Sequence, residues 1–299
     1  MADDDLYELR NFLHLGNYAA AWEEGATLEP STEGARQERD VLMALCELGR
    51  GTADRLTALP PDAPISLRAL KFLGEYLSRG GDADEAPQVL DALQALTASA
   101  AASCDPDSER VARMATACVH ARLSQLPEAY AAIASLSHPE AGALRAHLLL
   151  QMRRPELARR ELDGLQAVDE DSALCQLVRA EMGICSDERE HVEDALYTLQ
   201  ELTERHGATG ALLNATAVCH LKCGQEAAAE RALQQAQTRD AHDADALVNR
   251  IALAMQQLQP AEWVQSQVER LRALAPLHPW LRRYEEMREA VERECGSVM

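Results

Sequence analysis

The residues of this chain best suited to chemistry lie on one predicted helix, where Cys219, His220 and Cys223 offer two thiols and an imidazole within a single turn. Positions four apart share a helix face, so Cys219 and Cys223 could reach one metal ion together. A structural zinc takes four ligands, and no matching half-site stands at helical or knuckle spacing elsewhere. No metal is therefore expected; the two thiols are assigned to packing against neighbouring helices, and His220 to a core position. The run Asp82-Ala83-Asp84-Glu85 is acidic enough for a calcium loop but lacks the glycine and the distal bidentate Glu. It reads as a helix start, with Asp82 as N-cap. The carboxylate pairs Glu170-Asp171 and Glu285-Glu286 are adjacent on helices, where neighbouring side chains diverge and cannot flank one scissile bond. Neither a nucleophile elbow, a phosphate loop, a dinucleotide fingerprint nor a zinc-protease motif occurs. The expected protein is not an enzyme and uses no cofactor.

The elements that carry these residues are helices in pairs. From Gly210 to Ala241, Leu213, Ala217 and His220 make one stripe, Gly224 stops the helix, and Ala229, Leu233 and Ala236 make the stripe of a second. Ala195, Leu199 and Leu202 precede Ala229, Leu233 and Ala236 by 34 residues each, the tetratricopeptide period, and Asn214 and Ala217 recur 35 residues on as Asn249 and Ala252. The fold class predicted is an all-α, tetratricopeptide-like α-α superhelical solenoid, a curved array of helical hairpins with a concave face.

Composition agrees. Aromatics are 4% of the 299 residues, and Ala and Leu dominate, which favours helices throughout. One continuous domain is expected, with residues 1–277 as solenoid and 278–299 as a C-terminal capping helix and tail. The 29 basic against 49 acidic residues give a formal charge of −20, which repels nucleic-acid phosphates and anionic lipid alike. No apolar run approaches the ~20 residues of a membrane span, and the acidic start is unlike a signal or transit peptide. A cytoplasmic protein is expected, with any membrane attachment indirect. The eight cysteines show no CxxC pair and are expected as free thiols.

Along the chain, helices are expected at 6–14, 39–48, 65–77 and 84–96. The Ala-Ser-rich stretch Thr97 to Ser103 then reads as a loose connection, and helices resume at 106–123 and 127–136, where His138-Pro139 closes the pair. Further pairs follow at 143–152 with 155–165, 173–184 with 192–203, and 246–258 with 262–274. About one helical turn is inserted near Ser186 to Glu190 relative to the ideal period.

In such solenoids the first helix of each pair lines the concave face, which holds an extended peptide or a protruding element. Residues three and four apart from the helix start give the candidate partner-binding set: Ala211, Asn214, Val218 and Leu221 in one unit, and Ala246, Asn249 and Leu253 in the next. A rival reading is a co-chaperone or adaptor gripping a carboxylate tail, for which Asn214, Asn249 and Arg250 supply a fragment. The scarcity of lysine and the negative charge oppose it.

Several stretches carry a resemblance beyond generic repeats: LARRELDGLQAVDEDSALCQLV (157–178), EDALYTLQEL (193–202), LLNATAVCHLKCGQEAAAERALQQA (212–236), ALVNRIALAMQQL (246–258) and HPWLRRYEEM (278–287). In these the chain resembles the epsilon subunit of coatomer, the COPI vesicle coat. The match is weaker towards the N-terminus, in LYELRNFLHLGNY (6–18) and ERDVLMALCELG (38–49), and from 59 to 136 it lies mainly in helix placement. The resemblance implies a bracelet-like solenoid bound to the C-terminal domain of the alpha subunit and, through it, to the other coat subunits. It further implies a cytosolic coat component, peripheral on Golgi membranes and COPI-coated vesicles, serving Golgi-to-ER and intra-Golgi transport.

Overall fold

The computed structural model describes residues 5–81 and 83–296, so the expected N-cap at Asp82 lies outside the described residues. Seventeen helices and no strand occur among them. They are α1 (Tyr7–His14), α2 (Tyr18–Thr27), α3 (Glu33–Gly49), α4 (Asp54–Thr57), α5 (Ile65–Ser78), α6 (Ala86–Ala102), α7 (Pro106–Arg122), α8 (Leu126–Ile133) and α9 (Pro139–Gln151), followed by α10 (Pro155–Asp169) and α11 (Ala173–Cys185). Beyond these come α12 (Arg189–His206), α13 (Gly210–Lys222), α14 (Glu226–Arg239), α15 (Ala244–Gln256), α16 (Ala261–Leu274) and α17 (Pro279–Gly296). The chain packs as two compact units, Met1–Cys185 and Ser186–Met299. The all-α class is as expected. Thr97 to Ala102, expected as a loose connection, continues α6, because an unbroken run of Ala and Ser keeps Ala100 fully buried. His138-Pro139 opens α9 instead of closing α8: the backbone N–H of Glu140 donates to His138 Nδ1 at 3.3 Å, and Pro139 takes the first helical position, where its missing N–H costs nothing.

The second helices bury small and large residues in turn. Ala158, Leu162 and Leu165 of α10, Ala195, Leu199 and Leu202 of α12, and Ala229, Leu233 and Ala236 of α14 are all 6% exposed or less, as their constant spacing requires. Ala217 of α13 and Ala229 of α14 are both fully buried, so the α13–α14 pair accepts small residues on both sides.

Among the described residues, eight helix ends close the same way. In each, the residue after the C-cap is left-handed and donates to the carbonyl three residues back, and the next residue donates five back, a Schellman pair that satisfies two orphan carbonyls. Gln225 N–H to His220 O at 2.8 Å and Gly224 N–H to Leu221 O at 3.1 Å show the pattern. Glycine takes the left-handed position at Gly16, Gly51, Gly80 and Gly224, but Cys104, Ser124, Arg153 and Leu258 take it elsewhere, at φ 53, 61, 57 and 53°. A β-carbon there costs about 1–2 kcal/mol. Leu258 is 89% exposed and recovers nothing by packing. Leu258→Gly should therefore raise stability by about 0.5–1 kcal/mol in urea denaturation, the relief of strain exceeding the added entropy of the unfolded chain. An unchanged or lowered midpoint would mean the turn is unstrained.

Candidate protein-binding face

Whereas the caps of α1 and α5 make no side-chain bond, the first helices α3, α7, α9, α13, α15 and α17 share a common register set by their N-caps. The caps are Thr32, Asp105, Thr209 and Asp243, whose side chains accept from the backbone N–H three residues on, and His138 and His278, whose Nδ1 atoms accept from the N–H two residues on. Counted from the cap, residues two, six, nine and thirteen on fall on one face, spaced by about one turn. In the first unit this face lines a cavity of 90 Å³, with Glu38, Val41 and Leu45 from α3, Met114 and Cys118 from α7, and Glu140 from α9. Cys118 is reached by solvent yet enclosed by the surrounding helices, and burial pushes its thiol up to about 11.

Ion pairs tie the first helices of this unit to one another across the same face. Arg10 of α1 meets Glu38 of α3 at 2.7 Å, and Arg110 of α7 meets Glu140 of α9 at 2.8 Å. His14 Nε2 bonds the second Glu140 oxygen at 3.3 Å, joining α1 to α9 across 126 residues of sequence. Burial pushes the Glu140 carboxyl up, but the His14 hydrogen bond and the charges of His14, Arg110 and His138 outweigh it and hold the group at about 2. His147 of α9 continues the line to Glu181 of α11, and that hydrogen bond raises its pKa against the opposing effect of burial. A cleft of 350 Å³ opens beside this seam, walled by Tyr7, Arg10 and His14 of α1, by His138 and Glu140, and by Leu165 and Val168.

In the second unit the corresponding residues are Ala211, Ala215, Val218 and Lys222 of α13, and Asp245, Asn249, Ala252 and Gln256 of α15. Of the seven residues expected to bind a partner, Ala211 is exposed and Val218, Leu221 and Asn249 are half-buried. Three belong elsewhere. Ala246 is fully buried, Leu253 is 5% exposed and packs on Ala217, Ala232 and Leu233, and Asn214 donates to Asp243 Oδ2 at 2.8 Å, which ties α13 to the cap of α15. The register assumed for α15 began at Ala246, one residue late relative to the face counted from Asp243, which replaces Ala246 and Leu253 by Asp245 and Ala252. The sequence reading placed a capping helix at α17 but left its face out of the set: Trp280, Tyr284, Met287 and Val291 hold the same four positions after His278. The repeated His-Pro opening was the signal that aligns it with α9.

The chemical constellation around Cys219 divides differently from expectation. Cys219 is fully buried and burial pushes its thiol up to about 11, whereas Cys223 is half-buried at the helix C-cap. His220 is no core residue: its Nδ1 lies 2.6 Å from Gln225 Oε1 across the Schellman turn, and His120 pairs with Gln125 at 2.8 Å across the equivalent one. All eight cysteines are free. Among the described residues no group of three or more His, Cys, Asp or Glu side chains could hold a metal ion, and no helix is long and apolar enough to cross a membrane.

Stacked helical hairpins with a shared first-helix face define a tetratricopeptide-like repeat protein. The solved structures bear out this fold: a tetratricopeptide repeat protein from Parabacteroides merdae superposes with a TM-score of 0.55 at 14% identity, over 94% of this chain and 97% of that one. The APC/C hetero-tetramer Cut9–Hcn1 gives 0.60 at 15% identity, over 91% of this chain and 53% of its own. The family is narrower than the fold. The chain matches the coatomer epsilon subunit model over residues 2–299 and belongs to that family. Relatives include coatomer subunit epsilon of Caenorhabditis elegans, 29% identical over 98% of both chains, and coatomer subunit epsilon-2 of Oryza sativa subsp. japonica, 28% identical over 99% of this chain and 97% of its own. Coatomer subunit epsilon of Dictyostelium discoideum is 24% identical over 94% of both. Membership gives the chain a structural role in a protein-transport coat, as a peripheral component working with other coatomer subunits.

Proposed function

We propose that the chain is a non-catalytic scaffold that binds the C-terminal domain of the coatomer alpha subunit, supporting Golgi-to-ER and intra-Golgi transport from Golgi membranes and COPI-coated vesicles. In this reading residues 1–277 act as one continuous array and 278–299 cap it. The observation that carries it is the match to the epsilon family along nearly the whole chain, joined to a first-helix face that remains accessible at Ala211, Val218 and Asn249. Small side chains there, with Asn249 to bond a partner's backbone, suit a protruding segment that needs close approach. Leu221 flanks this set, and Ala252 completes it.

The carboxylate-clamp alternative is weakened by its own residues. Asn214 is committed to Asp243, and Arg250 Nη1 donates to Gln237 Oε1 at 2.5 Å. The scaffold reading is tested with purified alpha C-terminal domain. Val218→Glu combined with Ala252→Glu, both at half-buried positions on the face, should weaken capture at least about tenfold through charge buried in the complex, with the melting midpoint nearly unchanged. A folded double variant that binds at wild-type affinity would place the partner on another surface.

A further inference from the structure

The α17 helix departs from its fellow first helices at the shared face. Where α13 and α15 carry Ala211, Ala215, Val218, Lys222 and Asp245, Asn249, Ala252, Gln256, α17 carries Trp280, Tyr284, Met287 and Val291, all large and apolar. The indole of Trp280 stacks on Tyr284 with ring centroids 5.2 Å apart, and both rest partly on the core around Leu281. The stripe then runs out of cover, with Met287 69% and Val291 60% exposed. It spans about 16 Å along the helix. The opposite side is polar: Arg282 and Glu286 stand where α13 presents Leu213 and Ala217 to its second helix, and both are exposed. The helix thus carries charge on that side and exposed apolar surface on the shared face. His278 holds the helix in place, its Nδ1 accepting from Trp280 N–H and its Nε2 lying 3.1 Å from Asp245 Oδ1 on α15.

The spacing 280, 284, 287, 291 alternates four and three, the seam of a coiled coil, and Arg283 and Arg288 occupy its flanking positions. Arg288 is engaged with Glu292 in the next turn at 3.6 Å and remains exposed. A second copy of α17 fits poorly, because parallel pairing sets Arg283 against Arg288 and antiparallel pairing sets each against itself. A strand would meet side chains at a period of two, which a seam along one helix does not match. We propose that this seam seats an amphipathic helix of a protein partner, with apolar residues at heptad spacing and acidic residues beside them. It rests on the scaffold reading only in supposing a protein partner on this face.

The test uses the full chain and a labelled 21-residue helical peptide with Leu at a and d and Glu at e and g, beside a twin with Lys at e and g. By fluorescence anisotropy the Glu peptide should bind at least about tenfold more tightly than the Lys peptide. Met287→Glu with Val291→Glu should remove that binding without moving the melting midpoint, since both side chains are exposed, and Arg283→Glu with Arg288→Glu should invert the preference. Equal binding of both peptides, or binding indifferent to Met287 and Val291, would overturn the proposal. So would a concentration-dependent dimer, or flotation with vesicles containing phosphatidylserine, that the Met287/Val291 variant abolishes. Capture of the alpha C-terminal domain is measured in parallel. Wild-type capture without peptide discrimination removes this inference and leaves the scaffold reading; discrimination without capture does the reverse.

Discussion

Glu140→Ala should cost the protein about 3–5 kcal/mol, because it strands a buried cation. Arg110 is 11% exposed, its Nη1 meets Glu140 at 2.8 Å, and its Nε is buried without a partner. Once the carboxylate is gone, the guanidinium keeps its desolvation cost with only the longer contact to exposed Asp107, at 3.7 Å, to offset it, while α1 loses the His14 bond that reaches α9. Glu140→Gln, which keeps an acceptor but no charge, should fall between the two. Acid supplies an independent reading. The folded carboxyl titrates at about 2 against 4.5 for an ordinary Glu, so its contribution is complete above pH 4.5 and is lost as the pH falls from 4.5 through 2. That contribution is roughly 3 kcal/mol. Urea denaturation across this window should show wild-type stability converging on that of the Ala variant. A difference below about 1 kcal/mol at pH 7 would mean that Asp107 and water, not Glu140, satisfy Arg110.

Leu253→Glu should destabilise the second unit by about 4 kcal/mol or more, whereas Ala252→Glu, one residue away, should cost less than about 1 kcal/mol. Leu253 fills the space between Ala217, Ala232 and Leu233, and Arg250, which lines the adjoining cleft, already donates to Gln237. Ala252 lies on the partly open face, where a longer side chain can swing into solvent. Thermal melts of the two variants therefore decide the register of α15 by a contrast in which helix propensity is nearly constant. Equal midpoints would restore Leu253 to the binding face.

What the sequence made legible follows from what is local. The α10, α12 and α14 stripes were readable because a small residue, a large one and another recur at fixed intervals, and burial is the only use for such a pattern. The binding face was harder. Ala246 and Asp245 differ by one position, and an Ala-rich helix gives weak contrast between core and surface, so the start of α15 had to come from the side-chain bond of Asp243 to Ala246 N–H. Trp280 and Met287 were hidden by the charges interleaved among them, which made α17 look like a simple cap. The His14–Glu140 bond lay beyond any local pattern, since partners 126 residues apart leave no periodic trace. At Cys104, Ser124, Arg153 and Leu258 the turn was invisible for a different reason: the glycine that normally announces it is missing.

Those turns give the chain a set of built-in reporters. The second donor of each Schellman pair, at Asn17, Thr52, Gly81, Asp105, Gln125, Arg154, Gln225 and Gln259, is a connecting-segment amide locked to a carbonyl five residues back. Loop amides usually trade their protons with water quickly, but these cannot do so until the helix end beside them opens. Isotope exchange at eight separate peptide groups thus reads the local opening of eight helix ends one at a time. The four ends that hold a side chain in the left-handed conformation carry less free energy against opening, so the pattern of fast and slow amides maps stored backbone strain directly onto fluctuation.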